Sequence, residues 1–181
     1  GNNTYLTVVR GGFETDGNDL LVRRFISSNS NQRSISLGNS DVTIIQFWFM
    51  STTTNLDFDA GTSTIHWNAS NTYSFQASGL IFHDLDMSID SGAASLQGDM
   101  SFSHIIKEGQ GNLDVRDTLS VATFDLNAGR VRLDEDTNVD TLSLSPGIFL
   151  EIEGGKTLST QDLNGSGTCS NYIHIKSQTP G

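Results

Sequence analysis

The stretch Leu56-Asp57-Phe58-Asp59-Ala60-Gly61 carries the pattern that decides the fold. Its order, apolar-polar-apolar-polar-small-Gly, returns at residues 87–92 (MSIDSG), 124–129 (FDLNAG) and 142–147 (LSLSPG). Alternation of apolar and polar residues is typical of a β-strand with one buried side, and a glycine allows a sharp turn at its end. The four occurrences therefore predict a repeated strand-and-turn unit.

Glycine spacings suggest the length of one repeat. The intervals from Gly38 to Gly61 and from Gly129 to Gly147 predict a coil of roughly 18–25 residues, a length typical of solenoids. Three short strands with tight turns could close such a coil. The interval from Gly92 to Gly129 is close to twice that from Gly129 to Gly147, which fits two coils. The interval from Gly61 to Gly92 is too long for one coil and predicts an insertion or a bulge.

Composition favours strands over helices. The chain has 181 residues, 35% of them hydrophobic, with 18 glycines and only 2 prolines. Long stretches rich in Ala, Glu, Lys and Leu are missing, whereas Ser, Thr, Asn and Gly suit strands joined by short turns. We expect residues 1–181 to form a single β-solenoid segment of a longer protein, because both ends read as cuts and the apolar content supports one continuous core.

Charge and cysteine content narrow the partners. The net charge of −11, from 10 basic and 21 acidic residues, repels phosphate backbones and anionic lipid, so we expect no nucleic acid partner. No apolar stretch approaches the roughly 20 residues that span a bilayer, so we expect no membrane insertion. The single cysteine, Cys169, excludes an internal disulfide framework and a multi-cysteine zinc site, and we expect it to be buried.

Alternation predicts strands along most of the chain. Gly11-Gly12 is interpreted as part of a turn, and the stretch 93–111 departs most from the repeat. The predicted strands are 5–9, 20–26, 34–37, 42–49, 56–59, 64–67, 73–75, 80–82, 112–115, 118–121, 124–126, 131–133, 141–144, 148–152 and 172–175.

Two architectures suit short alternating strands. In a β-solenoid, each coil has inward Leu, Ile, Val and Phe that it cannot bury alone, so the next coil covers them and its strands pair in parallel. An antiparallel β-sandwich is the main alternative. Recurrence of one pattern favours the solenoid, and we predict an all-β parallel β-helix.

The stretches Arg33 to Ile44 (RSISLGNSDVTI) and Leu56 to Trp67 (LDFDAGTSTIHW) resemble the repeats of large secreted bacterial surface proteins, the adhesin-like β-solenoid proteins found especially in Bacteroidetes. Residues 12–20, 164–168 and 173–177 are similar to segments of the same family, so the resemblance covers most of the chain. It implies a right-handed parallel β-helix, export to the cell surface or medium, and a role as stalk, spacer or adhesive surface.

Two pairs of aspartates are the first candidates for a catalytic site. Asp57 and Asp59 share one side of a predicted strand, as do Asp84 and Asp86. Paired carboxylates at a suitable separation can hydrolyse glycosides. The alternation, however, makes all four the outward polar positions of amphipathic strands. We predict no catalytic residues and expect that the protein is not an enzyme.

Metal sites are the second possibility. Residues 14–19 (ETDGND) place oxygen donors around a glycine, as calcium loops do, but they lack the twelve-residue spacing and are explained by an Asp-Gly turn. Residues 134–136 (DED) are interpreted as a solvated turn, and His66, His83, His104 and His174 lack metal-ligand spacing. We predict no metal and no cofactor.

Aromatic residues are the third candidates. They would form a sugar-stacking platform if they were exposed, although packing in the core is the usual fate of such side chains. The candidates are Phe47, Trp48, Phe49, Trp67, Tyr73 and Phe75.

These observations predict a non-enzymatic, extracellular or cell-surface β-solenoid segment with a structural or adhesive role. Its partners would be neighbouring repeats, a second copy of itself or a surface polysaccharide. One alternative is a carbohydrate-active or carbohydrate-binding β-helix, which a groove lined by aligned acidic and basic residues would favour. Another is a subunit of a homo-oligomeric extracellular filament, which apolar patches outside the solenoid, around Trp48, would favour.

Overall fold

A computed structural model describes residues 4–69 and 72–178, and these residues form strands and turns without any helix. The strands are β1 Tyr5–Thr7, β2 Gly11–Glu14, β3 Leu20–Ile26, β4 Arg33–Ser36, β5 Asp41–Met50, β6 Leu56–Asp59, β7 Thr64–Asn68, β8 Tyr73–Ala77, β9 Leu80–Ser88, β10 Ala93–Gln97, β11 Met100–Glu108, β12 Asn112–Val115, β13 Leu119–Leu126, β14 Arg130–Leu133, β15 Thr137–Leu144, β16 Phe149–Ile152, β17 Leu158–Gly165 and β18 His174–Ser177.

Register partners group these strands into three ladders, which are the three faces of a coil. Face 1 contains residues 20–22, 41–44, 64–68, 84–88, 104–108, 123–126, 141–144 and 162–165. Face 2 contains residues 5–7, 24–26, 47–50, 73–77, 93–97, 112–115, 130–133, 149–152 and 174–177. Face 3 contains 11–14, 33–36 and 56–59 and, after a break, 80–82, 100–102, 119–121, 137–139 and 158–160.

Pairing within the faces is parallel throughout, which confirms the parallel β-helix and excludes the antiparallel β-sandwich. The longer strands pass from one face to the next. In β5, Asp41–Ile44 pairs with β7 of face 1, whereas Trp48–Met50 pairs with β8 of face 2. The chain therefore winds around one axis and adds one rung to each face per coil.

Coil lengths on face 1 agree with the expected range of roughly 18–25 residues. The shortest interval between register partners on that face runs from Phe124 to Leu142, and the longest runs from Val42 to Ile65. Face 2 contains one coil that exceeds the range, between the partners Trp48 and Phe75. Loops between the strands absorb most of this variation, and the pairing of β3 with β5 contains a register shift between Val22 and Arg24.

Side chains from all three faces meet in one core. Trp48 of face 2 stacks on Phe25 and Phe75, with ring centroids 4.3 and 5.3 Å apart, and its edge meets Phe82 of face 3 at 5.8 Å. Trp67 of face 1 lies 5.8 Å from Phe75. Both tryptophans are fully buried. The core is continuous because each rung contributes inward side chains that the neighbouring rungs cover.

Matching sequence patterns do not all occupy matching places. The patterns at 124–129 and 142–147 do stack, because Phe124 pairs with Leu142. The pattern at 87–92 is displaced by two positions, since Met87 and Leu126 are both partners of Lys107. The pattern at 56–61 belongs to face 3. Its alternation predicted a strand correctly but did not distinguish the faces.

The glycine intervals are explained by the corners of the coil. Gly92, Gly111 and Gly129 occupy successive positions at the corner between faces 1 and 2, so the interval from Gly92 to Gly129 spans two coils as expected. Gly61 lies above Gly38 at the corner between faces 3 and 1. The long interval from Gly61 to Gly92 therefore joins two different corners and is not the length of a coil.

The stretch 93–111 was expected to depart from the repeat, but it forms a regular rung. Its strands β10 and β11 pair on both sides with the coils before and after them. Gly11-Gly12 also belongs to a strand, β2, and is not a turn. The strands β2 and β10 escaped prediction because Gly, Ala and Ser dilute the alternation, while the neighbouring coils still supply backbone partners.

Two glycines at the corner between faces 2 and 3 allow a test of coil stacking. Gly98 and Gly79 have φ angles of +90° and +69°, but a Cβ on Gly98 would lie 1.9 Å from the Ala77 carbonyl oxygen, whereas one on Gly79 meets nothing within 4 Å. We expect Gly98→Ala to destabilise the fold by about 2–4 kcal/mol, since it adds a backbone clash to the conformational cost. Gly79→Ala carries only the conformational cost of about 1–2 kcal/mol. Equal losses in urea denaturation would contradict close coil packing at Gly98.

Candidate functional site

The predicted carboxylate pairs lie on different faces of the solenoid. Asp57 and Asp59 are exposed on the outer side of β6, on face 3. Asp84 and Asp86 lie on the outer side of β9, on face 1. The expectation of outward polar positions is confirmed, and the two pairs do not combine into one site.

On face 1, the aspartates pair with histidines along the ladder. His66 lies between two carboxylates, with its Nε2 3.5 Å from Asp41 and its Nδ1 3.4 Å from Asp86. The rungs on either side of His66 supply these aspartates. The contacts therefore link three successive rungs on the outer surface.

Two further histidines contact carboxylates, one across rungs and one within its own strand. His104 Nε2 lies 2.9 Å from Asp125 on the next rung, and His83 Nδ1 lies 3.0 Å from the adjacent Asp84. Within residues 4–69 and 72–178, no group of three or more His, Cys, Asp or Glu side chains is arranged to hold a metal ion. Face 1 thus presents a row of separate histidine–carboxylate contacts.

The acidic turns also have local explanations. Asp16 and Gly17 both have positive φ angles, 53° and 75°, and the Asn18 amide donates to the Thr15 carbonyl over 2.9 Å. This geometry is that of a two-residue turn with an Asp-Gly centre. In the turn 134–136, Glu135 accepts a hydrogen bond from Lys156 over 2.5 Å. Both turns connect faces of the coil.

The aromatic candidates separate into two groups. Trp48, Trp67 and Phe75 are fully buried in the core, whereas Phe47, Phe49 and Tyr73 lie on the outer side of face 2. The six aromatic residues therefore do not form a single platform. Strand alternation is the physical reason, because neighbours such as Phe47 and Trp48 must point to opposite sides.

The outer aromatic residues of face 2 pack against one another. Arg24 places its guanidinium 4.9 Å from the ring centre of Tyr5 and 5.2 Å from that of Phe47. Phe47 meets Tyr73 edge to face at 4.9 Å. Gln46 accepts a hydrogen bond from Arg24 and donates one to the Tyr73 hydroxyl. These rings are held by contacts within the protein and cover the outside of the first coils.

A buried lysine occupies the corner between faces 1 and 2. Lys107 points inward between Met87 and Leu126 and is fully buried. Its ammonium donates to the carbonyl oxygens of Gly109, Gly111 and Ala128 over 2.6, 2.8 and 2.6 Å. Burial lowers the pKa of Lys107 to about 8. A perturbed lysine is often functional, but here three acceptors occupy its three protons and tie two coils together.

Replacing Lys107 tests this role. Lys107→Met should lower the free energy of unfolding at pH 7 by about 1–3 kcal/mol, because three buried carbonyls lose their donor. Between pH 8 and 10.5 the unfolded chain holds a proton that the folded chain has released, so wild-type stability should rise relative to the variant. Urea denaturation from pH 7 to 10 measures both effects, with Lys156→Met as a surface control that loses less. A pH-independent difference would contradict the lowered pKa.

A second buried charge, that of Glu151, lies on β16, the last but one of the described rungs of face 2. The Glu151 side chain is only 4% exposed and accepts hydrogen bonds from Arg130 Nε over 2.6 Å and Lys176 Nζ over 2.7 Å. Phe149 shields this group, since Lys176 Nζ lies 4.9 Å from its ring centre. Burial raises the pKa of Glu151, but the hydrogen bonds and charges of Lys176 and Arg130 outweigh it and lower the pKa. The carboxylate therefore joins three rungs of face 2.

Acid unfolding tests the Glu151 contacts. A carboxyl group with a lowered folded pKa contributes stability above its ordinary value of 4.5 and loses it as the pH falls through the folded pKa. We therefore expect Glu151→Gln to cost about 1–2 kcal/mol at pH 7, where Arg130 and Lys176 are partly exposed, and to flatten the stability curve below pH 4.5. Glu108→Gln, at an exposed carboxyl group, is the control. If both variants follow the wild-type acid curve, Glu151 does not link the rungs.

A wide groove lies on face 3, at the first coils. It has a volume of about 1220 Å³ and is lined by Arg10, Gly11, Gly12, Asn31, Gln32, Arg33, Ser34, Asn55, Leu56 and Asp57. Parallel register places Gly12, Ser34 and Asp57 in one row across β2, β4 and β6. The positions just before these strands, held by Arg10, Gln32 and Asn55, form a second row. The groove thus crosses three rungs and presents a different polar side chain on each, from Arg10 to Asp57.

Arg33 supports the groove from inside. Its side chain is 2% exposed and binds two loops that connect faces 2 and 3, around residues 27–31 and 52–54. Its Nε donates to the Ser27 hydroxyl over 2.7 Å, and its Nη1 donates to the carbonyls of Asn31 and Thr54 over 3.0 and 3.1 Å. Because these bonds order the loops, the wall of the groove is formed before any ligand arrives.

The groove was not predicted from the sequence, because its residues are about one coil apart and form no motif. Gly11-Gly12 leaves the groove open. In the sequence, however, a pair of glycines is typical of a turn. Cys169, expected to be buried, is exposed in the loop before β18, where the chain leaves the coil and no further rung of the described residues covers it.

No protein-family model, curated protein or solved structure matches the chain. In the described part of the chain, no helix is long and apolar enough to cross a membrane.

Proposed function

We propose that this chain is a structural and adhesive segment of a large secreted bacterial surface protein, in which it serves as a stalk, spacer or fibre without enzymatic activity. Neighbouring repeats of the same protein are its proposed partners, and the cell surface or the medium is its proposed location. The sequence resemblance to adhesin-like solenoids supports the location.

One observation carries the mechanical part of this proposal. Eight rungs of face 1 follow one another in parallel register, from β3 to β17, over a core shared by all three faces. Strands in a ladder lie about 4.8 Å apart, so the first and last of these rungs are about 34 Å apart. A rod of this kind lengthens with each added coil and resists bending because every coil is bonded to its neighbours.

Charged side chains support the same role. Arg130 and Lys176 each bond to Glu151 on the neighbouring rung of face 2, and Arg24 bonds to Gln46 of the next coil. Lys156 bonds to Glu135 across adjacent coils. These contacts hold successive coils together from outside, while the Lys107 and Arg33 hydrogen bonds hold them from inside.

The last rungs also fit a segment that continues into further repeats. Leu163 and Ile175 are 54% and 50% exposed, although their register partners Leu142 and Leu150 are buried. Both positions point along the column of core residues. An additional coil stacked on β17 and β18 would cover them, which is the contact that we propose for neighbouring repeats.

Duplication of two coils tests the rod. A second copy of residues 112–148, inserted after Ile148, keeps the register of β12, β14 and β16 and again places Asp114 beside Arg132. We expect the folded rod to lengthen by about 10 Å, two rungs, with parallel-sheet circular dichroism retained. Small-angle X-ray scattering measures the length. The control is a Gly/Ser insertion of equal length at the same place, which should form a flexible loop without lengthening the core.

Two outcomes would contradict the proposal. A duplicated chain that unfolds, or that keeps the original length, would show that the coils are not interchangeable structural units. Turnover of a polysaccharide that is lost in Asp57→Asn or Asp86→Asn would show an enzyme. Antibodies against the chain should label intact cells or culture medium of the source organism, and labelling confined to lysed cells would exclude the surface role.

A further inference from the structure

The face 3 groove gathers polar side chains that bond to no other described residue. Within the described residues, the side chains of Arg10, Gln32, Ser34 and Asp57 take part in no hydrogen bond, ion pair or ring contact. In that part of the chain, Arg10 is the only one of the ten basic residues of which this is true. Unused donors and acceptors thus converge in the face 3 groove.

Glycines keep this hollow open. Gly11 has a φ angle of +83°, and a Cβ built on it would meet nothing within 4 Å. Gly12 faces Ser34, whose hydroxyl would lie 3.1 Å from a Cβ on Gly12. The floor of the groove is therefore bare backbone with small side chains, and the bonds of Arg33 hold its wall. A ligand would meet a surface that is already ordered, which lowers the entropic cost of binding.

The shape and lining of the groove indicate the class of ligand. Small-molecule pockets are usually apolar and enclose about 300–1,000 Å³, whereas this groove is larger, open to solvent and lined in nearly equal parts by polar and apolar surface. Its two rows cross three rungs about 4.8 Å apart and offer a different group at each, with Arg10 on the first, Gln32 and Ser34 on the second and Asp57 on the third. A linear polymer lying along the solenoid axis would meet a hydrogen-bonding side chain at each of the three rungs, and a chain of hydroxyl-rich units can both donate to and accept from such groups.

The charges around the groove narrow the class of ligand further. Arg10 and the buried Arg33 line the same groove as Asp57, and Glu14 and Asp59 lie on the strands β2 and β6 that border it. These charges nearly balance, and the protein as a whole carries −11. A polyanion would gain little from Arg10 and would be repelled by the carboxylates. Hydroxyl groups, in contrast, can accept from Arg10 and Gln32 and donate to Asp57.

We infer that the face 3 groove binds an extended neutral oligosaccharide, with Arg10, Gln32, Ser34 and Asp57 as its hydrogen-bonding residues. This inference rests on the adhesive part of the proposed function, for which it supplies a site and a ligand class. Because none of the described residues that line the groove is aromatic, sugar rings are held by hydrogen bonds alone. We therefore expect dissociation constants in the millimolar range, strengthened on a polymer that engages several copies.

Titration with defined oligosaccharides tests the site. Cellohexaose, xylohexaose and mannohexaose are the neutral probes, and hexagalacturonate is the acidic comparison. With ¹⁵N-labelled protein, at least one neutral probe should shift the backbone amides of Gly11 and Gly12 and the side-chain amide of Gln32. Hexagalacturonate should bind more weakly than that probe at physiological salt.

Two serines of β4 provide matched variants. Ser34 and Ser36 lie two residues apart on the same outer side, but only Ser34 lines the groove. Ser34→Ile should weaken binding at least tenfold because its side chain fills the hollow, and Ser36→Ile should leave binding unchanged. Isoleucine suits a strand, so both variants should fold. Circular dichroism and thermal unfolding verify this.

Three results would overturn the inference: no shifts at the groove with any neutral probe at millimolar concentration, equal binding by Ser34→Ile and Ser36→Ile, or a preference for hexagalacturonate. The coil duplication tests the rod without any ligand. If the titration fails and the duplication succeeds, the groove is rejected as a binding site and the rod is retained. If the duplication fails and the titration succeeds, only the rod is rejected.

Discussion

Parallel stacking of one coil on the next is the interaction on which the rest of this structure depends. A single coil has too little interior to bury its own apolar side chains, so each must be covered from both sides. The central column of face 1 shows this, with apolar side chains at every register position: Leu20, Val42, Ile65, Leu85, Ile105, Phe124, Leu142 and Leu163. Backbone pairing fixes the register, and the register decides which side chains meet.

The same constraint explains the unusual residues at the corners. A coil that lies about 4.8 Å from its neighbour leaves little room where the backbone turns, and Gly98 lies where a Cβ would strike the previous coil. Where the backbone turns at a corner, some carbonyl groups also have no partner in a strand ladder. Lys107 and Arg33 point inward at two different corners and donate to these carbonyls, so buried cations complete hydrogen bonding that strands cannot.

Contacts between coils pair many of the charged side chains on the surface, and the polar side chains that stay unpaired form the candidate functional surface. On face 1, His66 and Asp86 bond to each other, and on face 2, Glu151 bonds to Arg130 and Lys176. The prediction that the paired aspartates point outward was right, because alternation alone places them on the outer side of their strands. The groove could not be predicted in this way, because Gly12, Ser34 and Asp57 are separated by a full coil in the sequence and become neighbours only through the pairing of β2, β4 and β6.

By itself, the sequence determined the class of fold, the approximate coil length and the inward or outward direction of most side chains, because strand alternation and glycine turns are local properties. The tertiary structure alone decided which face each strand joins, as the pattern at 56–61 shows by lying on face 3 while its counterpart at 124–129 lies on face 1. It also placed Phe47 outside and Cys169 in the open, and it formed the groove. These features depend on contacts between residues a coil or more apart, which only the register between coils brings together.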